Sequence, residues 1–184
     1  RFNPTNRCYL CKYALFSQFK EMAGQLGLAA VVDGTNLDDD GDYRPGRKAL
    51  GELDIKSPLH QAGFTKQDIR DLSRELGLAT WSKPSFACLA SRFVYGEELT
   101  TENLQRINEA EELLQAKGFT QFRVRQHGSL ARIELLPADI DRFMTVDIRA
   151  DVAAKFRALG FDYVTLDLIG YRTGSMNEAL NKEE

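Results

Sequence analysis

Glycines punctuate this chain and limit what it can fold into. Gly27, Gly77 and Gly118 each follow an amphipathic run, and a glycine just past the last periodic residue is where a helix stops. The first run carries Leu10, Ala14, Leu15, Phe19, Met22 and Leu26 at three- and four-residue steps, which predicts a helix over 8–26. The second carries Ile69, Leu72 and Leu76 behind Thr65, a residue suited to an N-cap. The third carries Leu104, Ile107, Ala110, Leu113 and Leu114 and predicts the longest helix, over 101–117. Between the first two, residues 29–32 form a short apolar run that ends in Asp33-Gly34-Thr35-Asn36. It reads as a buried parallel strand feeding a polar loop. A short helix over 47–53 completes a helix, strand, helix, helix rhythm, that of a doubly wound α/β domain.

The character changes after Trp81. Ser82-Lys83-Pro84-Ser85 reads as a linker, and residues 86–92 show no period. Residues 119–126 and 130–136 alternate as strands do, with His127-Gly128-Ser129 as the turn between them. Helical stretches over 138–145 and 149–159 then precede a third strand over 163–169. The expected fold is α/β: an incomplete doubly wound domain over 1–84, a linker and active-site loop over 85–100, and a small α+β domain over 101–184.

Composition narrows the class. With 43% hydrophobic and 28% charged residues in 184, the chain has ordinary globular proportions, which argues against disorder. Twenty-four Lys and Arg against twenty-seven Asp and Glu leave a net charge of −3. That field does not recruit nucleic acid, so a nucleic-acid partner is not expected. Apolar runs fall far short of the roughly 18 residues a membrane span needs, and no cationic segment precedes an apolar one. A cytoplasmic protein without a membrane partner is the expectation. The chain opens on Arg1 and the turn-forming Phe2-Asn3-Pro4, which leads us to expect a piece of a longer protein.

Three groups of residues suit chemistry. Cys8, Cys11 and Cys88 are an odd number for a disulfide framework, and Cys8-Tyr9-Leu10-Cys11 sets two thiols on one helical turn. A redox dithiol, a zinc site short of a fourth ligand, or a [4Fe–4S] cluster with one open iron all fit. Asp33, Asn36 and Asp39 follow the 29–32 run, where α/β sheets place ligands and where carboxylates can hold Mg²⁺; a solvated acidic turn fits equally. Arg123 and Arg125 lie two apart on a strand and so share a face, suited to an anion, although Glu134 opposite could neutralise them. Ser91 and Arg92 add a hydroxyl and a cation near Cys88. His127 reads as a turn residue, and Trp81 as packing where the two domains join.

These blocks resemble a known family. Asn3-Pro4, Arg7-Cys8-Tyr9-Leu10-Cys11-Lys12, Asp33-Gly34-Thr35-Asn36 with Asp38-Asp39, and Tyr43-Arg44-Pro45-Gly46 resemble the PP-loop ATP pyrophosphatases. Cys88-Leu89-Ala90-Ser91-Arg92-Phe93, Phe122-Arg123-Val124-Arg125 with His127-Gly128, Ala131-Arg132-Ile133-Glu134, residues 163–168 and residues 170–177 resemble the LarE family of ATP-dependent sulfur transferases. The likeness spans nearly the whole chain.

The resemblance implies an enzyme that adenylates the carboxylates of a pyridinium dicarboxylate mononucleotide. It converts them to thiocarboxylates for the nickel-pincer cofactor of lactate racemase. It implies Cys88 as the sulfur-donating cysteine, left as dehydroalanine in sacrificial members. Ser91, Arg92, Arg123 and Arg125 are implied to hold the substrate or its phosphate, with Glu134 nearby. Asp33, Asn36 and Asp39 are implied to face ATP and Mg²⁺. A subset of the family carries a CxxC, and Cys8, Cys11 and Cys88 match it as ligands of a [4Fe–4S] cluster that carries a replaceable sulfide. The partners implied are a small nucleotide-like substrate and further copies of the chain. The family's Ser-Gly-Gly-x-Asp-Ser phosphate loop does not precede Cys8, so this chain alone is not expected to hold the ATP pyrophosphate tightly. A cluster-dependent tRNA thiolation enzyme and a non-catalytic metal-binding or assembly module are the alternatives.

Overall fold

The computed structural model describes residues 2–41, 45–83 and 86–172. Tyr43-Arg44, Pro84-Ser85 and the motif residues from Thr173 onward lie outside the described residues. The fold is α/β, and the chain divides into two compact units, Pro4–Lys83 and a second that joins the N-terminal residues up to Asn3 to everything from Pro84 on.

In the first unit, α1 (Arg7–Gln25) packs against α2 (Gly46–Glu52). Gly46 is needed at this crossing, because a Cβ there would sit 2.8 Å from Lys12 Cδ and 3.2 Å from the Cys8 carbonyl oxygen. Tyr9 Oη donates to Glu52 at 2.7 Å and Lys20 Nζ to the Leu53 carbonyl at 2.8 Å. The short α3 (Pro58–Gln61) leads to α4 (Lys66–Glu75), which starts as the sequence predicts. Thr65 Oγ1 accepts from Asp68 N, and the Asp68 carboxylate accepts from Thr65 N, a reciprocal cap.

The strand expected over 29–32 does not form. Only Val32 pairs, in a single parallel bridge with Lys56. A buried parallel strand needs neighbours on both sides and covered faces; among the described residues this run finds one partner residue, and Val32 stays exposed. The apolar side of α1 differs from expectation for the same reason. Leu10, Leu15, Phe19 and Met22 are exposed, and Ala23 is the helix's one buried residue.

The second unit holds a mixed three-stranded sheet in the order β1-β2-β3. β1 (Phe122–His127) and β2 (Leu130–Leu135) form an antiparallel hairpin with Arg123 opposite Glu134 and Arg125 opposite Arg132; β3 (Tyr163–Leu166) runs parallel to β2. α5 (Thr101–Ala116), capped by Thr100, α6 (Pro137–Phe143) and α7 (Val146–Ala158) complete the unit. Ile107, Ala110 and Leu114 of α5 and Val152 and Phe156 of α7 bury Val124, Ile133 and Leu135. Alternation sends the charged residues of the hairpin to the opposite side.

Two boundaries shift from expectation for local reasons. His127 is paired within β1, opposite Leu130, and the turn is Gly128-Ser129 alone, with Gly128 at φ +59°. β3 ends at Leu166 because Asp167 accepts hydrogen bonds from the backbone N–H of Ile169 and Gly170 and turns the chain. Two 3₁₀ turns, Leu37–Gly41 and Leu89–Arg92, had no periodic signal in the sequence. No described helix is long and apolar enough to cross a membrane.

Candidate functional site

The loop around Cys88 is held by its neighbours. Cys88 precedes the 3₁₀ turn Leu89–Arg92, with an extended backbone that leaves its thiol exposed and reduced. Its carbonyl accepts from Ser91 N at 3.0 Å and Ser91 Oγ at 2.8 Å, and from Arg92 Nη1 at 3.1 Å. Arg92 is 1% exposed. Its Nη1 also reaches the Ala87 carbonyl at 2.7 Å and Ser91 Oγ at 3.1 Å, while Nε and Nη2 form a fork onto both oxygens of Glu111, at 2.9 and 2.8 Å. Glu111 stands on α5 and accepts a further bond, from Val124 N of β1 at 3.0 Å. Beside this loop lies a cleft of about 350 Å³ whose lining includes Phe86, Cys88, Arg92 and Phe122 and the α5 residues Asn108 and Glu111.

The charged side of the hairpin adjoins the loop. Arg125 Nη1 donates to the Ser91 carbonyl at 2.7 Å, and its Nε and Nη2 fork onto Glu134 at 2.9 and 3.1 Å. Glu134 is fully buried and also accepts from Arg132 at 3.0 Å. Neutralisation by Glu134, one of the two readings open from sequence, is thus realised for Arg125. Arg123 is buried too, with its guanidinium over the rings of Phe86 and Tyr171 at 5.4 and 5.1 Å. Burial first, and the nearby Arg92 second, pull the Arg123 pKa below its ordinary value, against the favourable fields of Tyr171 and Glu111. Cys88, Ser91, Arg92, Arg123, Arg125 and Glu134 therefore gather in one unit.

His127 lies on the same side with Nε2 buried and without a hydrogen-bond partner. Burial, then the field of Arg132, lower its pKa. It sits at the end of a strand, not in a turn. Trp81 lies under the Arg74 guanidinium at 5.5 Å within the first unit.

Asp33, Asn36 and Asp39 also gather, in the first unit. Burial pushes the Asp33 carboxyl up, yet hydrogen bonds from Ser57 and Thr35 and the charge of Lys12 at 3.6 Å outweigh it and hold its pKa below the ordinary range. Asp39 accepts from Asn36 N at 2.9 Å, and Asn36 Oδ1 from Asp38 N at 3.1 Å. Cys8 and Cys11 stand on the first turns of α1, exposed and reduced, with the Arg7 guanidinium 3.8 Å from the Cys8 sulfur. They belong to the first unit and Cys88 to the second. Among the described residues no group of three or more His, Cys, Asp or Glu is arranged to hold a metal ion.

Sequence reasoning gave no role to Glu111, Tyr171 or Asn3, although the last two lie in the motif blocks. Glu111 carries a signal, since a carboxylate at i+4 from Ile107 and i−3 from Leu114 falls on the buried stripe of α5. Asn3 is fully buried, and its Nδ2 donates to the carbonyls of Phe93 at 2.8 Å and Val94 at 2.9 Å. Tyr171 had no sequence signal for its place over Arg123.

No family model matches the chain. The chain is 46% identical over 180 residues to an uncharacterised protein of Synechocystis, a match covering 98% of this chain and 67% of that protein. It is 42% identical over 182 residues to the pyridinium-3,5-bisthiocarboxylic acid mononucleotide synthase of Lactiplantibacillus plantarum, covering 99% of this chain and 65% of the synthase. An uncharacterised protein of Methanocaldococcus jannaschii is 34% identical over 171 residues, covering 93% and 66%. The chain thus spans about two-thirds of the length of the curated relatives it matches. With these motifs in order and this identity along nearly all of its length, the chain belongs to the LarE family.

Proposed function

We propose that this protein is an ATP-dependent sulfur transferase that adenylates the carboxylates of a pyridinium dicarboxylate mononucleotide and converts them to thiocarboxylates for a nickel-pincer cofactor. The observation that carries this reading is the joining of an exposed thiol, Cys88, to buried arginines by the Arg125–Ser91 hydrogen bond. The likeness to the pyridinium-3,5-bisthiocarboxylic acid mononucleotide synthase of Lactiplantibacillus plantarum supports the substrate and product.

The chemistry asks for such an arrangement. A carboxylate oxygen leaves poorly, and adenylation turns it into a mixed anhydride whose leaving group is AMP. The Cys88 thiolate attacks the acyl carbon and AMP departs. In the sacrificial route the Cβ–Sγ bond of Cys88 then breaks as its α-proton is lost, which leaves a thiocarboxylate and dehydroalanine. We assign Arg123, Arg125, Ser91 and Arg92 to the phosphate side of the substrate, directly or by shaping the site, with Glu134 fixing Arg125. Holding the phosphate holds the acyl carbon near the sulfur, and proximity of that kind accounts for a large part of a barrier.

Asp33, Asn36 and Asp39 are assigned to the ATP side, where hard carboxylate oxygens suit Mg²⁺. The first unit is read as part of a doubly wound PP-loop domain. The parallel bridge at Val32 and the exposed apolar side of α1 support this, since a parallel sheet uses both. In the cluster route Cys8 and Cys11, exposed and three apart on one helix, would be two ligands of a [4Fe–4S] cluster and Cys88 the third; Cys88 would then keep its sulfur, and the transferred sulfur would be the cluster's replaceable sulfide. The proposal includes self-association and a cytoplasmic location.

The test uses the full-length protein with ATP, Mg²⁺ and the pyridinium dicarboxylate mononucleotide under anaerobic conditions. AMP, pyrophosphate and a thiocarboxylate are the expected products, read by mass spectrometry. Pyrophosphate release without any sulfur-containing product overturns the reading.

A further inference from the structure

We infer that Arg92 and Glu111 are a positioning pair that fixes the Cys88 loop, and that Arg92 reaches the substrate only through that loop. The inference rests on the sulfur-transfer reading for its catalytic consequence, while its structural half stands alone. The guanidinium of Arg92 is turned inward on every arm: Nε and Nη2 onto Glu111, Nη1 onto the carbonyls of Ala87 and Cys88 and onto Ser91 Oγ. At 1% exposure it forms part of the cleft wall with its guanidinium nitrogens already bonded to protein, so taking a phosphate would mean giving up those bonds. Arg123, buried on the neighbouring strand, supplies a cation, so the site does not need Arg92 for charge.

Glu111 is the junction of three elements. It stands on α5, grips Arg92 of the Cys88 loop, and accepts from Val124 N, between the two arginines of β1. One carboxylate therefore links the direction of the thiol to the strand that carries Arg123 and Arg125. A fork of two charge-assisted bonds fixes orientation as well as distance, and lysine cannot reproduce it. Loosening it lets the thiol wander relative to the acyl carbon, and a misplacement near 1 Å costs about 100-fold in rate.

The test compares Arg92→Lys and Glu111→Gln with the parent in the full-length protein. Two readouts are taken: the single-turnover rate constant of thiocarboxylate formation against mononucleotide concentration, and hydrogen–deuterium exchange of peptides covering 86–93 and 130–135. The expected result is a maximal rate constant lower by about 100-fold with the half-saturating mononucleotide concentration unchanged, and faster exchange over 86–93 with no change over 130–135. A raised half-saturating concentration with the maximal rate constant held shows Arg92 on the substrate and overturns the inference. Parental exchange over 86–93, or a stability loss with the maximal rate constant held, overturns it too. Where a variant does not fold, Glu111→Asp keeps the charge and shortens the reach, and the same readouts decide. Exchange needs no turnover, so a protein that never forms thiocarboxylate defeats the sulfur-transfer reading without touching the loop result.

Discussion

Arg125 Nη1 lies 2.7 Å from the Ser91 carbonyl oxygen while the rest of the same guanidinium is forked onto Glu134. A loop that bears a thiol is thereby tied to the strand that bears the cations, and Glu134 is the fixed point of the tie. Glu134→Ala removes the buried carboxylate onto which Arg125 forks and weakens the hold on Arg132. Breaking a buried pair in this way costs about 3–5 kcal/mol. Urea unfolding of the full-length protein, followed by a probe in the second unit, measures it. A loss below about 1 kcal/mol, the range of a surface pair, contradicts this role for Glu134.

Two glycines with positive φ give a contrast. Gly128 (φ +59°) has nothing within 4 Å of where a Cβ would stand, whereas a Cβ on Gly170 (φ +80°) would meet the Leu135 carbonyl oxygen at 2.5 Å. Gly128→Ala carries the conformational cost alone, about 1–2 kcal/mol. Gly170→Ala adds a backbone clash and shifts Tyr171, whose N–H bonds Leu135 O at 2.7 Å, away from Arg123. Thermal unfolding should rank Gly170→Ala clearly below Gly128→Ala; equal effects refute the close approach.

His127 makes the stability of the second unit pH-dependent. Burial and the field of Arg132 set its folded pKa below the ordinary value. As pH falls through about 6.5 the unfolded chain takes up a proton that the folded unit refuses. Stability is complete above that pH, declines as pH falls toward the folded pKa, and then levels. NMR titration of the His127 ring should give a midpoint below 6.5, and His127→Gln should remove the decline. A midpoint at or above 6.5 rules the effect out.

The reciprocal cap of α4 is another local check. Thr65→Ala removes the acceptor for Asp68 N and should cost about 1 kcal/mol, read by chemical denaturation against the parent. No change in stability would mean that the first turn of α4 does not depend on the cap.

What the sequence made legible was what local rules govern. Thr65 ahead of its periodic run announces the cap, alternation over 119–126 and 130–136 announces the hairpin, and the two-residue step puts Arg123 and Arg125 on one side. Burial partners were another matter. Arg92 finds Glu111 nineteen residues away on a helix, a pairing no periodicity encodes, although a carboxylate inside the apolar stripe of α5 hinted at a buried cation. The run at 29–32 carries a strand's composition but depends on neighbouring strands, and one bridge to Lys56 is all it finds among the described residues. The turn at Leu89–Arg92 rests on single short-range bonds, too brief for any period to register.

On this reading Cys88 is the sulfur centre of the protein. Full-length Cys88→Ala, supplied with ATP, Mg²⁺ and the pyridinium dicarboxylate mononucleotide, should release pyrophosphate at the parental level and form no thiocarboxylate. Thiocarboxylate produced by the variant at the parental rate would contradict it.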